Sequence, residues 1–216
     1  MNCILCQSTE AAAFRVDKKP EHSYYHCGQC DLIFLNPVER LTEEQEKARY
    51  DLHTDADSQG HQAFLAPLVG DVQELIAQSR WNPSDVQVLD YGCGPTAFLS
   101  ALFDLKGIAT TNYDIFYRPD QAALRKTYHV VTSTEVWEHF YFPYSEINQL
   151  VSMIKPNGYL AVMTSGHKGE AAFHDWYYRR DATHVSFYSE KTMQWIASRW
   201  GLRLIKAKSP YWIFQK

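Results

Sequence analysis

Four of the five cysteines stand in two pairs, Cys3-x-x-Cys6 and Cys27-x-x-Cys30, with 20 residues between the pairs. Two residues between cysteines let a tight knuckle turn both sulfurs toward one point, and two such knuckles supply the tetrahedral thiolate shell that Zn²⁺ prefers. The spacing predicts a structural zinc ribbon ligated by all four, closed to substrate, with the metal standing in for a missing hydrophobic core. His22 and His26 are near enough in sequence to replace a cysteine, but four thiolates is the simpler set and leaves both histidines as ordinary surface residues. A disulfide framework would need an oxidising compartment, and nothing here directs the chain to one.

A second cluster of chemistry begins at Val88. There an apolar run enters Asp90-Tyr-Gly92-Cys93-Gly94 and continues into an amphipathic stretch, the order of a strand, a glycine turn and a helix. Gly92 and Gly94 let backbone pass close to a ligand with no Cβ in the way, at the carboxyl end of a strand, where open α/β sheets bind ligands. About 20 residues further on, Asp114 closes the next apolar run, where a carboxylate can accept hydrogen bonds from both ribose hydroxyls. The third glycine of the dinucleotide fingerprint is absent, its place taken by Pro95-Thr96-Ala97, which disfavours a pyrophosphate and leaves a nucleoside cofactor. Cys93 reads as a small turn residue, since no paired base marks it as a nucleophile.

These residues resemble the first motif of the class I S-adenosylmethionine-dependent methyltransferases. The resemblance assigns Asp90 to the cofactor's amino-acid moiety, Gly92, Cys93 and Gly94 to the elbow beneath it, and Asp114 to its ribose. The runs from Thr134 to His139, Lys155 to Gly158 and Asp181 to Tyr188 are similar to a bacterial subgroup with paired Cys-x-x-Cys motifs ahead of the methyltransferase core, and the likeness covers nearly the whole chain. It adds Glu135 as a cofactor contact, and Arg49, Tyr50 and His53 match the same subgroup. Two departures stand out: Thr96 where many members have a third glycine, and His129 where many have Asp.

Methyl transfer is in-line displacement at a sulfonium methyl, so the protein aligns donor and acceptor, excludes water and removes an acceptor proton where there is one. His139 and His184 are the general-base candidates, with Glu138 expected to orient His139; a histidine that merely packs is the alternative for each. The run from Phe173 to His184 mixes rings with Arg179, Arg180 and carboxylates. It reads either as a lid recognising a polar or anionic acceptor, or as a packed aromatic loop whose arginines pair with Asp175 and Asp181.

The elements that must hold these residues follow from periodicity. Glu43–Tyr50 and His61–Ser79 have helical spacing, and Trp81–Asp85 is a turn-rich break. Beyond it, strands are expected at Val86–Tyr91, Thr110–Asp114, His129–Ser133 and Tyr159–Thr164. Helices are expected from near Thr96, from near Ser145 and over Ser189–Trp200, with Lys155–Gly158 as a turn before the fourth strand. Leu202–Ala207 and Tyr211–Phe214, split by Ser209-Pro210, suit a closing antiparallel hairpin. The interval from Asp114 to His129 is too short for another helix and strand, so no adenine contact can be named. The expected molecule is α/β: a zinc ribbon over residues 1–40, a helical cap over 41–80, and a Rossmann-like methyltransferase core with a C-terminal hairpin over 81–216.

Composition bounds the function. A formal charge of −4 offers no general attraction to phosphate backbones or anionic lipid, and the apolar runs are far shorter than the roughly 20 residues a bilayer-spanning helix needs. With no charged-then-apolar leader in view, a cytoplasmic enzyme is expected, acting on a small molecule. An RNA methyltransferase gripping its substrate through the ribbon, and a catalytically silent cofactor-binding protein, are the competing readings.

Overall fold

The computed structural model describes residues 1–51 and 58–216. Strands β1 (Ala11–Val16), β2 (His22–Cys27) and β3 (Ile33–Leu35) form an antiparallel meander beside the cysteine pairs. Helix α1 (Glu43–Asp51) opens with three glutamates that face the positive end of its dipole. Helix α2 (Ser58–Gln78) buries Leu65, Leu68, Val69, Val72 and Ile76, the stripe its spacing predicts.

The main sheet follows. Its strands are β4 (Val88–Tyr91), β5 (Thr110–Tyr113), β6 (Tyr128–Thr134) and β7 (Ile154–Met163), with α3 (Phe98–Asp104) and α4 (Pro143–Ser152) between them. After β7 come a short helix α5 (Glu170–Phe173) and a short strand β8 (Ser186–Phe187). Then α6 (Glu190–Arg199) is capped by Ser189 in a capping box with Thr192, and β9 (Arg203–Lys208) and β10 (Tyr211–Gln215) form the expected hairpin.

The order β5-β4-β6-β7-β10-β9 is parallel through β7, while β10 lies antiparallel between β7 and β9. From β4 the chain goes first to one side, at β5, then to the other, at β6. That reversal opens a crevice at the carboxyl end of β4. Between β5 and β6 the chain makes only a bridge from Asp114 to Arg118 and a 3₁₀ turn at Ala123–Arg125, as the short interval requires.

Lys155–Gly158 departs from expectation. It lies inside β7 as a bulge, because Asn157 takes φ +62° and the pairing with β6 jumps from Tyr128↔Ile154 to Val130↔Tyr159. Helix α3 starts two residues late, since Ala97 before it is left-handed at φ +48°.

The ribbon sheet takes its fourth strand from far along the chain: β3 pairs with β8. Leu35 N–H donates to Val185 O at 2.9 Å and Val185 N–H to Glu138 O at 2.8 Å, so hydrogen-bonded backbone runs from the ribbon to the loop after β6. Cys3, Leu5, Leu32 and Phe34 share one apolar core with Trp137, Tyr188 and Phe214.

Candidate active site

The elbow after β4 is built by its glycines. Gly92 lies at φ +82°, and a Cβ there would sit 2.2 Å from Val136 Cγ2. Only glycine allows the β6 loop to come this close. Gly94, at φ +63°, has open space where its Cβ would point. The Gly92 and Cys93 N–H groups donate to Tyr113 O at 2.8 and 3.1 Å, and Gly94 N–H donates to Asp114 Oδ2 at 2.9 Å. Asp114 Oδ1 accepts from the N–H groups of Phe116 and Tyr117. The carboxylate assigned to the ribose therefore also braces the elbow and the loop after β5.

A cavity of about 340 Å³ opens in front of this elbow. Of the residues chosen from sequence, Gly92, Gly94, Asp114, Glu135 and His139 line it, while Asp90, Cys93, Glu138 and His184 are not part of the lining. Tyr50 from α1 closes the wall opposite, its ring 5.2 Å from that of His139. His53 lies outside the described residues. Among the described residues, the lining carries five carboxyl groups, Glu43, Glu46, Asp114, Glu135 and Glu146, and no lysine or arginine.

Asp90 is 1% exposed, its Oδ1 lies 3.3 Å from the Thr132 hydroxyl, and its Oδ2 has no partner. Burial, and then the nearby Asp114 charge, push its carboxyl up to about 7. Burial likewise raises the Cys93 thiol to about 12, so it stays protonated, as a turn residue should.

His139 Nδ1 lies 3.1 Å from Thr183 O, and His184 Nδ1 lies 2.7 Å from Tyr178 O, with the two rings 4.8 Å apart. Each Nδ1 is thus the donor, since a carbonyl oxygen can only accept. Burial holds His139 down to about 4, so the ring is neutral at physiological pH. Glu138 does not take the place beside His139 Nδ1 that orienting it would require. Its two oxygens accept from the Tyr178 hydroxyl at 2.5 Å and the Thr164 hydroxyl at 2.8 Å.

Tyr178 lies in the Phe173–His184 run and Thr164 at the end of the fourth expected strand, but neither carried an assigned role, because only the return of the 165–189 segment brings Tyr178 to Glu138 and Thr164. That segment packs as the aromatic alternative describes, and none of its described residues lines the cavity. Phe173 is fully buried against Phe14, Tyr24 and Phe187. Arg179, 2% exposed, donates to the carbonyls of Lys18, Pro20 and His174, and Asp175 pairs with Lys18 instead.

The four ribbon cysteines converge, one sulfur from each within 4.8 Å of the others, with Cys3–Cys30 at 3.6 Å and Cys6–Cys27 at 3.5 Å. Each knuckle closes identically: Gln7 N–H on Cys3 O and Asp31 N–H on Cys27 O, both residues left-handed. His22 and His26 are engaged elsewhere, with Glu39 and Asp31.

The sequence profile of the methyltransferase-domain family matches residues 60–207, well over half the chain. The chain belongs to that family, the class I S-adenosylmethionine-dependent methyltransferases. Solved structures agree on the fold of this methyltransferase. An O-methyltransferase family protein from Burkholderia thailandensis superposes with a TM-score of 0.55 at 15% identity, over 82% of this chain and 64% of that one. This chain therefore spans under two thirds of that protein's length. Magnesium protoporphyrin IX methyltransferase from Synechocystis PCC 6803, solved with bound SAH, gives 0.52 at 16% identity over 80% and 92%. A SAM-dependent methyltransferase from Aquifex aeolicus gives 0.50 at 14% over 79% and 97%. No curated protein sequence matches the methyltransferase. Among its described residues, no helix is long and apolar enough to cross a membrane.

Proposed function

We propose that this methyltransferase acts on a small, non-anionic acceptor bound in the cavity between the glycine elbow and His139. The observation that carries this reading is the lining: five carboxyl groups interleaved with aromatic rings and, among the described residues, no lysine or arginine. A phosphate-bearing acceptor would find no lysine or arginine there to pair with, which disfavours RNA, and an open cavity at an intact elbow favours turnover over silence.

The cofactor fits the residues present. Asp90 Oδ2 and Glu135 Oε1 are buried without partners, a costly state that a cationic or hydrogen-bonding ligand relieves, and Gly94 leaves room for close approach. Asp114 would hold the ribose, and Asp90, Glu135 and the backbone of Gly92, Cys93 and Gly94 would hold the methionine end. When bound, S-adenosylmethionine supplies an electrophilic methyl group on a positively charged sulfur. Tyr50 and the α1 glutamates exclude water and orient the acceptor. His139 Nε2, fixed as a bare lone pair by the bond at Nδ1, is the proton acceptor for an ionising acceptor group, with His184 and Glu138 behind it.

The four thiolates would hold one structural zinc. Tetrahedral Zn–S bonds place sulfurs about 3.8 Å apart, close to the two separations seen. The ribbon, the α1–α2 cap and the core form the three working parts, and a cytoplasmic enzyme remains the reading that composition supports.

Calorimetry with S-adenosylhomocysteine tests the cofactor assignment. Wild type should bind, and Asp114→Ala should bind at least tenfold more weakly, about 1.4 kcal/mol or more, since it loses a ribose acceptor and the brace on Gly94 together. Equal affinities would remove Asp114 from the site.

A further inference from the structure

Glu135 and Glu138 form an unusual pair. Glu135 is left-handed at φ +54°, a conformation that costs a non-glycine residue energy, and its N–H donates to Met163 O at 2.8 Å. That turn points its carboxyl to the cavity wall, yet Oε1 is shut off from water with no partner, and Oε2 lies 3.3 Å from the Tyr178 hydroxyl. Glu138 is wholly buried, and both its oxygens are hydrogen-bonded, by Tyr178 and Thr164. No lysine or arginine forms an ion pair with either carboxyl among the described residues.

Two carboxyls in one dry site without a countercharge cannot both ionise cheaply. The single proton of Tyr178 is committed to Glu138 at 2.5 Å, which stabilises Glu138 as the anion and leaves Glu135 the less supported of the two. The other titratable groups around Glu135 are His139 on its own loop, His184 from the 165–189 segment and Tyr211 from β10. Burial holds His139 neutral and Tyr211 bears no positive charge, so neither balances a second negative charge.

We propose that Tyr178 is a positioning residue that makes Glu135 and Glu138 a one-proton pair, with the proton on Glu135, and that ligand binding in the cavity expels this proton. Burial, and then the Glu138 charge, raise the Glu135 carboxyl to about 9, in keeping with this. The balance is simple: the ammonium of the ligand's amino-acid end replaces the proton as the neutralising charge, and the proton leaves to buffer. No covalent bond other than O–H breaks.

The inference rests on the cofactor reading above, and calorimetry separates the two. S-adenosylhomocysteine would be titrated into the full chain at pH 7.5 in phosphate and in Tris, whose ionisation heats differ, so the difference in apparent enthalpy counts protons released. Wild type should release about one proton per ligand bound and Glu135→Gln none. Tyr178→Phe should lower the melting temperature, since it strips a buried carboxyl of its donor, weaken binding about tenfold, and weaken it no further in the Glu135→Gln background, since residues acting through one another are not additive. Binding by wild type with no proton release, equal release in Glu135→Gln, or additive effects in the double variant would overturn the proposal. Should Tyr178→Phe fold poorly, the comparison of wild type with Glu135→Gln decides alone. A wild type that does not bind the ligand at all strikes the cofactor reading itself.

Discussion

Asp90 and Gly92 carry the same lesson at neighbouring positions: the elbow tolerates local cost to leave room for a ligand. For Asp90 the cost depends on pH, because its carboxyl sits near 7 in the fold and near 3.8 when unfolded. Between those values the native state binds the extra proton, so ligand-free stability falls as pH rises through this window, and the loss is complete above about 7. Asp90→Asn should remove the share of that slope that Asp90 contributes. It is expected to stabilise the ligand-free protein at pH 8 by about 2–4 kcal/mol relative to wild type, with little effect near pH 4, while weakening S-adenosylhomocysteine binding. Urea melts at the two pH values measure the first, calorimetry the second. Identical pH slopes for the two proteins would show that the buried carboxyl is compensated in some other way.

Among the elements, the ribbon is tied outward at several points. Asp31, next to Cys30, accepts from the Ser189 hydroxyl that caps α6, and its carbonyl lies 2.9 Å from His167 Nε2. Metal loss should therefore be felt beyond the knuckles. One zinc per chain is expected in freshly purified protein, and chelation should lower stability by several kcal/mol, read as a fall in melting temperature. Hydrogen exchange should rise along β3 and β8 together, because they are one ladder. Loss of protection confined to residues 1–32 would mean that the ladder holds without the metal.

For the whole molecule, the paired β3 and β8, the Arg179 bonds to residues 18 and 20, and the core shared by Leu5, Phe34, Trp137 and Tyr188 make the N-terminal segment part of the enzyme's packing. A chain of residues 41–216 is expected not to fold cooperatively. It would expose Trp137 and Tyr188 and leave Glu138 O and Val185 without their ordered surroundings. A sharp thermal transition in that fragment, with retained cofactor binding, would contradict this. The contrasting expectation for the intact chain is a melting temperature that climbs with S-adenosylhomocysteine concentration, by the equivalent of about 2.7 kcal/mol at a hundredfold excess over Kd.

The elements with short-range signals were legible from the residues alone. The strand into Gly92 and Gly94, the capped helix after Ser189, the closing hairpin and the two knuckles each depend on backbone preferences or spacings that act within a few residues. The family resemblance added the cofactor roles that such signals do not carry. The bulge at Asn157 was misread because a Pro-Asn-Gly run suits a turn equally well, and only the pairs on either side of it, Tyr128↔Ile154 and Val130↔Tyr159, keep it within one strand. What tertiary structure alone decided is the other half of the site: that Tyr178 reaches Glu138, that Arg179 ties down the ribbon instead of facing an acceptor, and that the cavity is walled by carboxylates from α1, α4 and two strand ends. Those contacts join residues tens of positions apart, and no periodicity in the chain encodes which of many exposed-looking polar residues will meet inside it.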